Sequence, residues 1–230
     1  MPIEKRWVVK PQGDSAMVEA LATELGMSKV LANLLVQRGI DTKEKAQRFF
    51  SPALRDLHDP FLMKDMDKAV ERINAAIAND EKIAVFGDYD VDGITATCLL
   101  TSFLRRQGGD VVSYIPGRLE EGYGLNSIAI HQLHKEGVKL IITVDCGITA
   151  VEEAALCKEK GIDLVITDHH ECKDTLPCAV AIVDPHRPDG GYPHKNLSGV
   201  GVAFKLAAAL CGSQEEVLAE YADMVCLGTV

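Results

Sequence analysis

The sequence predicts an α/β protein: a parallel β-sheet flanked by helices, preceded by a helical N-terminal segment. Three observations carry this prediction. Residues 1–80 place apolar residues at three- and four-residue spacing, the period of an amphipathic helix. From residue 81 short β-branched runs alternate with helical patterns, and near-continuous apolar strands of this kind belong to a parallel sheet covered on both faces. The 230 residues, 47% apolar and 25% charged, suffice for a helical segment of about 80 residues and a sheet domain, 81–230, with its own core.

In chain order, helices are expected over 14–25, 28–38 and 42–50, the third started by a capping box of Asp41 and Glu44. Residues 51–60, with Pro52 and Pro60, read as a loop. Residues 65–79 form an amphipathic helix with Met66, Ala69, Val70, Ile73 and Ile77 on one face. Strands follow at 82–86, 111–115, 140–144, 163–166 and 180–183, separated by helices near 94–107, 126–136, 149–160 and 200–211.

Composition narrows the function. No apolar run reaches the roughly 18 residues that a membrane-spanning helix needs. The N-terminus carries no apolar signal core, so a soluble, cytoplasmic protein is expected. The seven cysteines include no C-x-x-C pair, which argues against a zinc ribbon or a redox motif and for reduced thiols, most of them core residues. A formal net charge of −10 argues against nucleic-acid binding by bulk electrostatics. It leaves room for a phosphodiester-processing enzyme whose carboxylates are neutralised by bound cations.

Ligands of parallel sheets bind at the carboxyl ends of the strands. The first strand runs into Gly87-Asp88-Tyr89-Asp90-Val91-Asp92-Gly93, the third into Asp145-Cys146-Gly147, and the fourth into Thr167-Asp168-His169-His170. Asp88-x-Asp90-x-Asp92-Gly93 matches the first half of an EF-hand loop, but position 12 is Leu99 rather than Glu, and a strand precedes it. A solvated acidic turn is the other bland reading. Three carboxylates within five residues repel one another unless a cation holds them, and more arrive from neighbouring strands. Mixed carboxylate and imidazole ligands without thiolate favour Mn²⁺ or Mg²⁺ over Zn²⁺. Two such ions suit in-line phosphoryl displacement.

These three stretches resemble the first three motifs of the DHH phosphoesterases. That superfamily includes single-strand nucleases, nano-RNases, cyclic-dinucleotide phosphodiesterases and pyrophosphatases. Asp59-Pro60-Phe61-Leu62-Met63-Lys64-Asp65-Met66, Ile115-Pro116-Gly117-Arg118 with Glu121-Gly122-Tyr123-Gly124-Leu125, and Leu197-Ser198-Gly199-Val200-Gly201-Val202-Ala203-Phe204-Lys205 are similar to the RecJ branch. That branch comprises 5′→3′ exonucleases specific for single-stranded DNA, acting in recombination and repair. The resemblance implies Asp88, Asp90, Asp92, Asp145 and His169 as metal ligands. Asp145 would bridge two Mn²⁺ or Mg²⁺ ions, with Asp88 and Asp90 on one and Asp92 and His169 on the other. It implies His170 at the scissile phosphate or as general acid, and Asp168 as the group that orients the histidines. It further implies one more ligating Asp beyond Leu227-Gly228-Thr229-Val230, so residues 1–230 alone are expected to show little exonuclease activity.

Arg118 and Tyr123 follow the second strand, where they would contact DNA phosphate and base; a surface ion pair and a packed ring are the alternatives. Gly199-x-Gly201 opens a helix and suits tight packing or presentation of N–H groups to a phosphate. Asp184, after the fifth strand, is a candidate outer-shell group; His186 and His194 read as loop residues, and Met63 and Met66 as core. The alternatives are another DHH phosphoesterase, acting on nano-RNA, a cyclic dinucleotide or pyrophosphate, and a non-catalytic scaffold of the same fold.

Overall fold

The computed structural model describes residues 6–117, 121–122 and 124–230. The chain divides into two compact units, Met1–Leu57 and His58–Val230. The first holds α1 (Ser15–Leu25), α2 (Lys29–Val36) and α3 (Lys43–Phe50). Each helix starts one residue after its expected first residue, because that residue is the cap. Asp14 accepts the N–H groups of Ala16 and Met17, Ser28 that of Leu31, and Thr42 that of Lys45. The Asp41–Glu44 box does not form. Asp41 takes the Lys45 ammonium at 2.6 Å, and Thr42 caps α3 instead. Leu21, Ala22, Ala32, Leu35 and Ala46 form this unit's core.

The second unit opens with a 3-10 turn, Pro60–Leu62, followed by α4 (Met66–Ala78). The boundary expected at residue 80 lies at 57/58 because α4 packs on the sheet side: Met66, Ala69, Ile73 and Ala76 are buried, and the helix contacts strand and helix elements of this unit. Val70 and Ile77 flank that stripe, half-buried. The remaining elements are β1 (Ile83–Gly87), α5 (Val91–Arg106), β2 (Val111–Tyr114), α6 (Ser127–Lys135), β3 (Leu140–Val144), α7 (Val151–Glu159), β4 (Asp163–Thr167), β5 (Ala181–Val183), α8 (Gly199–Cys211) and α9 (Gln214–Thr229).

The sheet runs β2-β1-β3-β4-β5, every pairing parallel. Helices α6 and α7 cover one face through Ala129, Ile130, Leu133, Ala154 and Cys157, packed on Ala84, Phe86, Ile141 and Leu164. Helices α4, α5 and α8 cover the other. This explains why β1 and β3 are buried at every residue and read as unbroken apolar runs. Strand order reverses direction between β1 and β3, the switch point where a crevice opens at the carboxyl ends.

Two expectations fail. Helix α9 was not among the expected elements, although Val217, Leu218, Tyr221, Met224 and Val225 place its covered side at three- and four-residue spacing. The cysteines are not mostly core: Cys146 and Cys157 are buried, whereas Cys98, Cys178 and Cys226 are exposed. Met63 and Met66 are core as expected. No helix among the described residues is long and apolar enough to cross a membrane.

Candidate metal centre

Strand register lines up the acidic groups. Gly87 pairs with Val144, Thr143 with Ile166, and Thr167 with Val183. Asp88, Asp145, Asp168 and Asp184 therefore stand at one level, each the first residue beyond its strand. They are 2%, 2%, 1% and 2% exposed, so a row of carboxyl groups is held out of water along one sheet edge. Carboxylates so placed cost free energy unless they are neutralised, hydrogen-bonded or paired with a cation.

Each is answered differently. Asp168 is satisfied by protein: Oδ2 accepts the Ile148 N–H at 2.9 Å, while Oδ1 accepts the His169 N–H at 2.7 Å and lies 2.7 Å from His170 Nδ1. Burial pushes Asp168 up, but His170 and these N–H groups outweigh it and hold the carboxyl below the usual range. The same contact lifts His170 to about 9, against its own burial, so the ring is a cation at neutral pH. Asp145 keeps its carboxyl beside His169, with Oδ1 3.0 Å from Nε2. Burial pushes Asp145 up to about 6, more than His169 pulls it down. Asp145 in turn raises His169. Burial lifts Asp184 to about 7; its Oδ1 accepts the His186 N–H at 2.7 Å, and its Oδ2 meets no hydrogen-bond donor among the described residues.

Among the described residues, two groups of side chains bring ligand atoms within 4.8 Å of one another: Asp88, Asp90 and Asp145, and Asp145, His169 and His170. Asp145 is common to both. The donors are oxygen and imidazole nitrogen without sulfur, the set that suits hard and borderline divalent cations. Asp90 caps α5, accepting the Gly93 N–H at 2.9 Å. A Cβ on Gly93 would fall 2.5 Å from the Asp88 carbonyl oxygen, so this glycine lets α5 start against the loop that follows β1.

Asp92 stands apart from these groups. Its two oxygens accept the N–H groups of Gly199 and Val200 at 2.7 and 2.6 Å, and Oδ2 is 3.7 Å from His169 Nε2. Sequence spacing gave no sign of this bond between α5 and α8. The Gly199-x-Gly201 turn thus presents N–H groups to a carboxylate of its own chain. Arg118 and Tyr123 lie outside the described residues. Next to them, Glu121 accepts the Tyr114 hydroxyl at 2.7 Å and the Gly117 N–H at 3.0 Å. His186 is half-buried beside Asp184, and His194 is exposed.

This geometry has counterparts. RecJ of Bacillus subtilis, described as a single-stranded-DNA-specific exonuclease, is 46% identical over 225 residues, covering 98% of this chain and 28% of that protein. The crystal structure of Thermus thermophilus RecJ in complex with Mn²⁺ superposes with a TM-score of 0.74 at 31% identity, covering 98% of this chain and 32% of that one. Its complex with Mg²⁺ gives 0.60 at 26%, covering 98% and 28%. This chain thus spans about a third or less of the length of these relatives. The family model described as "DHH family, N-terminal domain" matches residues 82–229, which hold the whole sheet and every aspartate of its carboxyl edge; the chain belongs to the DHH family.

Proposed function

We propose that this chain carries the metal-dependent phosphodiesterase centre of a cytoplasmic 5′→3′ exonuclease that degrades single-stranded DNA in recombination and repair. The observation that carries the reading is Asp145, shared between two groups of ligand atoms at the carboxyl edge. Asp88, Asp90 and Asp145 would hold one Mn²⁺ or Mg²⁺. Asp145 and His169 would hold a second, to which Asp92 offers the lone pairs that its two helix N–H bonds leave. Bound there, the cations supply an activated water and neutralise charge on the phosphoryl oxygens.

The chain's own groups supply the rest. Asp168 fixes the ring of His170 through Nδ1 and favours its protonated form. A cationic imidazole at the edge of the site attracts a phosphodiester and can pass a proton to the leaving oxygen. Burial excludes water from Asp145, which strengthens each charge interaction made there. The similarity to RecJ supports single-stranded DNA as substrate, with Arg118 and Tyr123 as its proposed contacts.

The test uses 5′- and 3′-labelled single strands with Mn²⁺, Mg²⁺ or EDTA. Both this chain and a chimera with these residues in place of the matching part of B. subtilis RecJ are assayed. The expected result is metal-dependent release of 5′-mononucleotides from the 5′ end by the chimera, abolished by Asp145→Ala. A chimera that folds but leaves single strands intact overturns the substrate. Cleavage that persists in EDTA overturns the metal.

A further inference from the structure

The first residue of α8 is a glycine, and neither backbone nor helix propensity asks for one. Gly199 has no positive φ. A glycine inside a helix costs about 0.5–1 kcal/mol relative to alanine. Its surroundings supply a different reason. A Cβ built on Gly199 would lie 2.4 Å from both Cβ and Oδ1 of Asp145 and 2.6 Å from its Cγ. The bare Cα of α8 therefore closes directly on the carboxylate that both ligand groups share. Gly201, two positions on, differs: a Cβ there would meet Leu197 and Ser198 side-chain atoms at 3.4 Å, ordinary contact.

The same turn holds a second carboxylate. The N–H groups of Gly199 and Val200 go to the two oxygens of Asp92. Asp92 and Asp145 both face Nε2 of His169, at 3.7 and 3.0 Å. One helical turn thus touches Asp145 with a missing side chain and Asp92 with two donors, and its positive end lies between two like charges. Asp145 itself sits at φ 59°, a left-handed region that residues with a side chain seldom enter, so contacts around it bear on whether it stays there.

We propose that Gly199 is a positioning residue of the metal centre: its lack of a side chain lets α8 clamp Asp145 in its left-handed conformation and set the Asp145–Asp92 separation that a divalent cation meets. The inference deepens the proposed function and, for its metal part, rests on it.

The test is a cycle of Gly199→Ala and Asp145→Gly, singly and together, with Gly201→Ala as control. It is read by thermal unfolding in EDTA and by Mn²⁺ titration, following the electron paramagnetic resonance of free Mn²⁺. Gly199→Ala is expected to lower the midpoint in the wild-type background and not in the Asp145→Gly background, where the colliding side chain is gone. It is expected to weaken Mn²⁺ binding at least about tenfold, the scale of losses seen when groups supporting a ligand are altered. Gly201→Ala is expected to change neither. If Gly199→Ala does not fold, recovery of folding in the double variant shows the same coupling. An equal loss of midpoint in both backgrounds overturns the proposal, as does Mn²⁺ affinity within twofold of wild type. The cycle needs no metal, so the two readings fail separately. Coupling in a chain that takes up no Mn²⁺ upholds the clamp on Asp145 and overturns the metal centre; Mn²⁺ uptake without coupling does the reverse.

Discussion

At the scale of single residues, burial decides which polar groups matter. Asp168 and His170 form a pair whose proton is shifted by contact, with Asp168 lowered and His170 raised to about 9. Asp168→Asn removes the charge, and the His170 pKa is expected to fall toward 6.5, read by NMR titration of the ring. The sign follows from linkage. A raised imidazole pKa stabilises the fold below its unfolded value of about 6.5, and that contribution is lost as pH rises through about 9. The alkaline part of the stability profile should therefore flatten in Asp168→Asn. Lys205 behaves oppositely. It is 2% exposed within α8, its ammonium donates to the His58 carbonyl and to Gln214 Oε1, and burial pulls it down from 10.5 to about 8. The unfolded chain binds the extra proton between those values, so stability rises as pH goes from about 8 to 10.5. Lys205→Met should abolish that rise. At pH 7 it should cost about 1–3 kcal/mol in urea unfolding, because a buried acceptor loses its donor.

At the scale of elements, helix starts shape the centre. Asp90 caps its own helix, α5, while Asp92, two residues on, caps α8 from outside. Asp92→Ala leaves two N–H groups of α8 without their acceptor and is expected to cost about 0.5–2 kcal/mol by denaturant titration in EDTA. Loss of stability without any metal present separates this tethering from ligation. The helices of 1–57 were legible because their apolar residues recur at three- and four-residue spacing; Asp14, Ser28 and Thr42 cap them. Helix α9 carries such a stripe as well, in Val217, Leu218, Tyr221, Met224 and Val225, but its backbone breaks at Tyr221, in the middle of that stripe.

At the scale of the whole molecule, a parallel sheet brings distant segments to one edge. Four aspartates then share a level from which water is excluded. A divalent cation that binds only the folded chain should raise the unfolding midpoint in proportion to its saturation. Mn²⁺ at a hundredfold excess over its dissociation constant would add about 2.7 kcal/mol. Calorimetry with Mn²⁺ and with EDTA checks this, and Asp145→Ala should remove the difference. The sequence by itself determined the fold class, the five strands and the aspartates and histidines at the strand ends. Buried parallel strands must be apolar throughout, and polar residues at their ends are the first that solvent or ligand reaches. Only the tertiary structure decided that α4 belongs with the sheet, that Asp184 stands level with Asp88, Asp145 and Asp168, and that Asp92 and Gly199 meet across two helices. Those outcomes depend on strand register and on the close approach of segments far apart in the chain, and local periodicity records neither.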